Sequence, residues 1–97
     1  MIARLIFLAV PDDKSLQTEH IWKKECTPLM VQQPGCLTHQ FMRNQQNPGE
    51  FISLSFWASM GAIEKYGDSE ARKEIQNYTR DLLGASHVEV KTYEVIG

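Results

Sequence analysis

Segment 50–57 alternates large apolar side chains with two serines, a pattern that could form one wall of a ligand pocket. In a strand, alternate side chains share a face, so Phe51, Ser53, Ser55 and Trp57 point to the same side. Two short hydroxymethyl groups between two large aromatic rings leave space there. Either a side chain from a covering helix fills this space, or a small planar ligand stacks against the indole of Trp57.

A second alternating segment, 36–43, carries side chains that could act on such a ligand. Its alternation places Leu37, His39, Phe41 and Arg43 on one face. A histidine can serve as base or hydrogen-bond donor near neutral pH, and an arginine can hold a phenolate or carboxylate at a cavity mouth. The same pattern also fits a histidine bonded to a carbonyl or facing a second subunit, and a solvated or salt-bridged arginine.

Three further aromatic residues, Trp22, Tyr66 and Tyr78, lie in segments whose apolar residues recur at helical spacing. This spacing points their rings inward, where each could contact a ligand. Each is also consistent with an ordinary core position, in which a tyrosine hydroxyl bonds a backbone group.

These side chains must be positioned by the flanking elements. Residues 2–10 are apolar except for Arg4 and predict a strand buried on both faces. A helix is predicted from Ser15, with a kink or restart at Pro28 and an end at Pro34-Gly35. Its inward stripe is Trp22, Cys26, Leu29 and Met30.

A hairpin is predicted between segments 36–43 and 50–57, because Pro48-Gly49 is typical of a type II turn with a positive φ at the glycine. Ser59 can cap a short helix that ends at Gly67. A longer helix follows to Gly84, and residues 87–96 predict the last strand. The inward stripe of the longer helix is Ala71, Ile75, Tyr78 and Leu82.

The element order is strand, helix, strand, strand, helix, strand, and it predicts an α+β, ferredoxin-like βαββαβ fold in one domain, 1–97. Such a fold has an antiparallel four-stranded sheet with helices on one face. The first and third strands carry large apolar residues on both faces, so another layer must cover the second face. A homodimer in which two sheets pair supplies that layer.

Composition excludes several classes of partner. The chain has 97 residues, a net charge of -2, and basic residues scattered along its length, so nucleic acid is not an expected partner. The longest apolar run, 5–10, is too short for a membrane span, and a cytoplasmic protein is expected. Two cysteines and three histidines lack metal-ligand spacing, so no metal site is predicted.

Several features together resemble the antibiotic biosynthesis monooxygenase family of dimeric α+β barrels. They run along nearly the whole chain: the helix end Gln33-Pro34-Gly35-Cys36, the turn Asn47-Pro48-Gly49-Glu50-Phe51, the junction Trp57-Ala58-Ser59, and Tyr66 followed by Ser69. The resemblance implies a cavity between sheet and helices, lined by Trp57, in which oxygenases oxidise polycyclic phenols or quinols without metal or flavin.

The same comparison shows departures. Some such oxygenases have an asparagine where this chain has Ser53 and a tyrosine where it has Ile63. The haem-degrading branch has a histidine ligand where this chain has Gln76, and an asparagine on the first strand, where this chain has none. Haem is therefore disfavoured as a cofactor.

The sequence and the resemblance favour a cofactor-independent monooxygenase that uses dioxygen as co-substrate on a quinol or polycyclic phenol. The alternatives are a non-catalytic binding protein for a hydrophobic small molecule such as haem or a quinone, and an isomerase or cyclase on the same scaffold. The candidate catalytic residues are Trp57, His39 and Ser53. The candidate substrate-binding residues are Trp22, Arg43, Phe51, Ser55, Tyr66 and Tyr78.

Overall fold

Four strands and four α-helices make up the computed structural model, which describes residues 1–97 except for the side chain of His87. The strands are β1 (Ile2–Ala9), β2 (Cys36–Arg43), β3 (Glu50–Trp57) and β4 (His87–Glu94). The helices are α1 (Ser15–Ile21), α2 (Thr27–Val31), α3 (Met60–Gly67) and α4 (Glu70–Gln76). A 3-10 turn (Asp12–Lys14) and two π-helical turns (Trp22–Cys26, Asn77–Leu82) complete the helical segments.

The strands form one antiparallel sheet in the order β2-β3-β1-β4. Inward-facing residues of β1 and β3 are buried under the helices, as in the alternation Phe51, Ser53, Ser55, Trp57. This arrangement confirms the predicted α+β, ferredoxin-like fold. None of the helices in the described part of the chain has the length and apolar character of a membrane span.

The opposite sheet face, which we call the outer face, is less covered. Its central strands carry large apolar side chains that are only partly buried: Leu5, Phe7, Ile52, Leu54 and Phe56. The edge strands place polar residues beside them, since Gln40 pairs with Leu54 and Lys91 pairs with Leu5. The edge strands also contribute Met42 and Tyr93. The outer face therefore has an apolar centre and mostly polar edges.

A π-helical turn sets the inward face of the first helical segment. Pro28 has no N–H to donate to the preceding turn, and the helix widens at Trp22–Cys26 before α2 begins at Thr27, in agreement with the predicted restart. The wider turn buries residues four apart. Trp22, Cys26 and Met30 are fully buried, as predicted, whereas Leu29 is only partly buried.

A second π-helical turn corrects the predicted inward stripe of the last helix. With Asn77–Leu82 widened, Thr79 and Leu83 follow Ile75 into the core. Leu82 is 47% exposed, and Tyr78 is displaced to the side, where its hydroxyl donates to Glu25 Oε2 at 3.4 Å. Helical spacing of 3.6 residues could not show this shift, because the extra residue in the turn is not marked by any one residue type.

Two smaller predictions are also wrong. A register shift between Cys36 and Thr38 turns Leu37 away from the face of His39 and leaves it 52% exposed. Gly49 does not have a positive φ; the positive-φ glycines are Gly35 and Gly84. Gly49 is required instead by a close approach, because a Cβ there would overlap the Val10 carbonyl oxygen.

Candidate functional site

The space predicted beside Trp57 is filled by the protein itself. The indole Nε1 donates to Ser55 Oγ at 2.8 Å, and both residues are fully buried. The ring also packs against Tyr66, with centroids 5.2 Å apart. The indole therefore bends back over its own strand and occupies the volume that the short Ser55 side chain leaves. Of the two alternatives for this space, the structure has the one in which the protein's own side chains fill it.

His39 fills the corresponding space beside Ser53. Its Nε2 lies 2.8 Å from Ser53 Oγ and its Nδ1 lies 3.0 Å from Thr27 Oγ1, so a hydroxyl occupies each ring nitrogen. The ring stacks on Trp22 with centroids 5.7 Å apart. Burial lowers the pKa of His39 to about 4, which keeps the ring neutral near pH 7.

Arg43 and Phe51 lie at a shallow groove of about 520 Å³ on the β2 side of the molecule. Arg43 donates through Nε to Ser15 Oγ at 3.1 Å and pairs through Nη1 with Glu19 at 3.3 Å. Its guanidinium lies over the ring of Phe51, whose side chain is buried. The groove also contains Lys23, Thr27, His39 and Phe41.

A cavity of about 270 Å³ lies on the other side of Trp22, between β1, β4 and the last helical segment. Trp22 separates the two spaces, because it lines the cavity and stacks on Phe41 of the groove with centroids 4.5 Å apart. The cavity wall is mostly apolar. Its lining residues are Arg4, Ile6, Leu8, Trp22, Tyr66, Arg72, Ile75, Gln76, Thr79, Arg80, Ala85, Ser86, Val88 and Val90.

Two of the predicted site residues, Trp22 and Tyr66, line this cavity. Trp57 and His39 lie one layer behind it, since Trp57 packs on Tyr66 and His39 packs on Trp22. The other predicted residues, Ser53, Ser55, Arg43, Phe51 and Tyr78, are not in the cavity wall.

Arg4 is a charged residue of this wall that was not among the predicted site residues. It is 5% exposed, and its Nη1 is buried without a hydrogen-bond partner among the described residues. Burial lowers the pKa of the Arg4 guanidinium, which lies 5.4 Å from the centroid of the Tyr66 ring. A signal was present, because Arg4 is the one charged residue in an otherwise apolar strand.

Two other wall residues have polar groups that a ligand could use. Trp22 Nε1 is buried without a hydrogen-bond partner. Burial raises the pKa of Tyr66 to about 12, so its hydroxyl stays protonated and able to donate near neutral pH. The wall therefore combines apolar surface with several donors, which suits a planar molecule that carries oxygen acceptors.

The cavity does not fit haem. Its volume is near the lower end of the roughly 300–1,000 Å³ that small-molecule pockets occupy, which favours one or two fused rings. Gln76 is in the wall where the haem-degrading branch has its histidine, and no histidine or cysteine is among the described wall residues. The described residues also contain no cluster of His, Cys, Asp or Glu that could hold a metal ion.

Comparison with known proteins gives one family and several related folds. A family model described as antibiotic biosynthesis monooxygenase matches residues 1–78. No curated protein matches significantly. The fold resembles a protein from Deinococcus radiodurans assigned to the same family, with a TM-score of 0.84 and 16% identity, over 100% of this chain and 94% of that one.

Two further solved structures are similar. Rv0793 from Mycobacterium tuberculosis has a TM-score of 0.78 and 16% identity, over 99% of this chain and 95% of that one. SnoaB from Streptomyces nogalater, described as a cofactor-independent oxygenase and solved as an asparagine-to-alanine variant, has a TM-score of 0.83 and 13% identity, over 97% and 91% of the two chains. At these identities the likeness shows the fold.

Proposed function

Because this chain belongs to the antibiotic biosynthesis monooxygenase family, we propose that it is a cofactor-independent monooxygenase that oxidises a small quinol or polycyclic phenol with dioxygen. The observation that carries the proposal is the apolar cavity of about 270 Å³ between the sheet and the last helical segment. The cofactor-independent oxygenase SnoaB has the same fold and supports this choice.

Oxygenation without a cofactor needs a substrate whose anion can give an electron to dioxygen. Where a ring CH₂ becomes a carbonyl, one oxygen atom enters the substrate, the other leaves as water, and all four electrons come from the substrate. The protein must then stabilise the anion and exclude water, and both are favoured in an apolar wall with a few fixed donors. The observed wall has this composition.

The predicted residues take different places in this proposal. Trp22 and Tyr66 contact the substrate, because both line the cavity. The catalytic roles predicted for Trp57, His39 and Ser53 stay predictions. Their contacts support a positioning role, since Trp57 packs on Tyr66 while His39, bonded to Ser53, stacks on Trp22. Direct substrate contact by Arg43, Phe51, Ser55 and Tyr78 also stays a prediction.

One observation favours a second candidate, a binding protein that holds a hydrophobic molecule without turnover. The described cavity wall contains no Asp, Glu, His, Cys or Lys, and the pKa of Tyr66 is about 12. A general base with a pKa near 7 is therefore not among these residues. No comparable observation favours an isomerase or cyclase.

Oxygen consumption with a panel of naphthols, anthrones and quinols tests the first candidate. Val90 lies in the cavity wall but is 45% exposed, so Val90→Trp fills the cavity with little strain on the core. We expect at least a tenfold lower rate in this variant, with the thermal midpoint retained. The matched control is Ile96→Trp, which adds the same ring at an 89% exposed position and should keep the rate.

Three outcomes separate the candidates. Consumption above the buffer blank that Val90→Trp abolishes supports the monooxygenase. Quenching of Trp22 fluorescence by a phenol, without consumption for any member of the panel, selects the binding protein. Equal rates in Val90→Trp and Ile96→Trp would show that any oxidation takes place outside the cavity.

We also propose that the outer face pairs with that of a second copy, as the apolar centre and polar edges favour. The predicted cytoplasmic location rests on composition and stays a prediction.

A further inference from the structure

The charged side chains that line the cavity all have the same sign. Arg4, Arg72 and Arg80 are in the wall, and no Asp or Glu is among the described wall residues. The protein as a whole has a net charge of -2, so this local excess of positive charge does not follow from composition. It points to a ligand that brings negative charge into the cavity.

Arg4 differs from the other two arginines in its surroundings. Arg80 is exposed and pairs with Asp81 at 3.4 Å, and Arg72 donates to the Gly67 carbonyl oxygen at 3.4 Å. Arg4 is almost completely buried on the central strand β1, and its Nη1 has no hydrogen-bond partner in the part of the protein that the structure describes. Its immediate charged neighbour is Arg72, whose like charge adds to the cost of keeping Arg4 ionised.

The ring of Tyr66 does not remove this cost. An aromatic face attracts a cation above it, but the N–H groups of a guanidinium lie in its own plane and need oxygen acceptors. A buried guanidinium without an acceptor destabilises the folded chain, and such an arrangement is retained where a bound partner supplies the missing oxygen.

We infer that Arg4 binds the ligand of this cavity, and that the ligand is an aromatic molecule with an ionised oxygen, which accepts hydrogen bonds from the guanidinium. The inference deepens the proposed function and rests on the same cavity. It adds a residue on the first strand that selects ionised over neutral ligands.

Matched probes test the charge requirement. A naphthoquinone with its hydroxyl on the quinone ring is a vinylogous acid and is ionised at neutral pH, and its methyl ether has the same rings without the charge. A naphthoate carries the charge on a carboxylate instead, so it distinguishes phenolate-type from carboxylate ligands. Quenching of tryptophan fluorescence reports binding, because Trp22 is in the cavity wall. We expect the wild type to bind one or both ionised probes at least tenfold more tightly than the ether.

Three substitutions assign the preference to a residue. Arg4→Gln should lower the affinity for the ionised probe about tenfold or more, because a charge-assisted hydrogen bond is lost. The affinity for the ether should stay within about twofold of the wild-type value. Arg4→Lys should retain part of the preference. Lys73→Gln, which removes a charge from an exposed position on α4, should bind as the wild type does.

The stability of the ligand-free protein gives a second readout. Arg4→Met removes an unpaired buried charge while keeping a long side chain, so the thermal midpoint should stay equal or rise. The ionised probe should then raise the midpoint of the wild type and not that of Arg4→Met. A purely structural arginine would give the opposite result, a large fall of the midpoint on substitution.

Equal affinity of the wild type for the ionised probes and the ether would overturn the inference. The inference would also be overturned if Arg43→Gln lost binding of the ionised probe while Arg4→Gln kept it. That result would place the anion in the groove. Failure of the monooxygenase proposal looks different: the ionised probe binds through Arg4, but no phenol is oxidised. Conversely, oxidation that Arg4→Gln leaves unchanged would support the monooxygenase and overturn the role of Arg4.

Discussion

His39 has no free ring nitrogen, and its environment makes the stability of the fold depend on pH. The pKa is about 4 in the folded chain against 6.5 for an unperturbed histidine. Between these values the unfolded chain binds the proton that the folded chain excludes. The contribution of the neutral His39 ring to the free energy of unfolding is therefore complete above pH 6.5. It is lost as the pH falls towards 4.

Because of this single group, we expect the free energy of unfolding to be roughly 2 kcal/mol lower at pH 5 than at pH 7. His39→Gln should show a shallower pH dependence in this range, measured by urea unfolding. The other charged residues of the groove are present in both the wild type and His39→Gln, so they do not cause the difference between them. These residues are Glu19, Lys23 and Arg43. His20→Gln, at an exposed position, should keep the wild-type slope, and an equal slope in all three proteins would contradict the assignment.

The inward face of β3 could be predicted from the alternation of residue types, and it is buried as expected. Which side chains fill the space between its aromatic rings could not be predicted in this way. Two serines indicate volume, but the Trp57 indole turns back to Ser55 and the His39 ring comes from the neighbouring strand to Ser53. These choices depend on side-chain conformation and partners from distant positions, which a linear pattern does not contain.

Gly35 is a junction at which both backbone conformation and packing require a glycine. It follows α2 with φ +85°, and β2 begins at the next residue, Cys36. Its carbonyl oxygen accepts from the Ala58 N–H at 2.8 Å. A Cβ at this position would overlap the Ala62 side chain, so the glycine allows α3 to lie this close to the chain.

Gly35→Ala should therefore destabilise the fold by about 2 kcal/mol or more, since a left-handed conformation alone costs about 1–2 kcal/mol for alanine. For a domain of this size the thermal midpoint should fall by roughly 10 °C. Gly67→Ala is the matched control, because nothing lies within 4 Å of its added methyl group. Similar midpoints for the two variants would show that the contact with Ala62 is not limiting.

The existence and order of the helices and strands could be predicted from the sequence. The local pitch of the helices could not. The residue types around Pro28 indicate a break, and Gly84 indicates the end of the last helix, where it has φ +65°. The second π-helical turn has no such marker. Its effect on the cavity is large, because it brings Thr79 into the cavity wall and moves Tyr78 out of it.

At the scale of the molecule, the outer face predicts a dimer. Leu54 lies in the middle of this face, between Gln40 on one neighbouring strand and Leu5 on the other. An apolar centre with polar edges is the usual composition of an interface between equal subunits. Sedimentation at micromolar concentration should give about twice the 11.1 kDa of one chain.

Leu54→Lys places a charge in the middle of the proposed interface and should shift the protein to the single-chain mass, with the helical circular dichroism retained. Gln40→Lys adds the same charge one strand away, at an exposed edge position, and should leave the dimer in place. A wild type that sediments as one chain would refute the pairing. The apolar residues on both faces of β1 and β3 were sufficient to predict this face, whereas Arg4 on the other face required the structure.

Cys26 has a consequence for the proposed reaction with dioxygen. Its side chain is fully buried, and burial raises the pKa of the thiol to about 12, so almost no thiolate exists at neutral pH. The thiolate, not the thiol, is the nucleophile that attacks a peroxide oxygen. The buried Cys26 sulfur is therefore poorly reactive towards the reduced oxygen species that the proposed reaction would release.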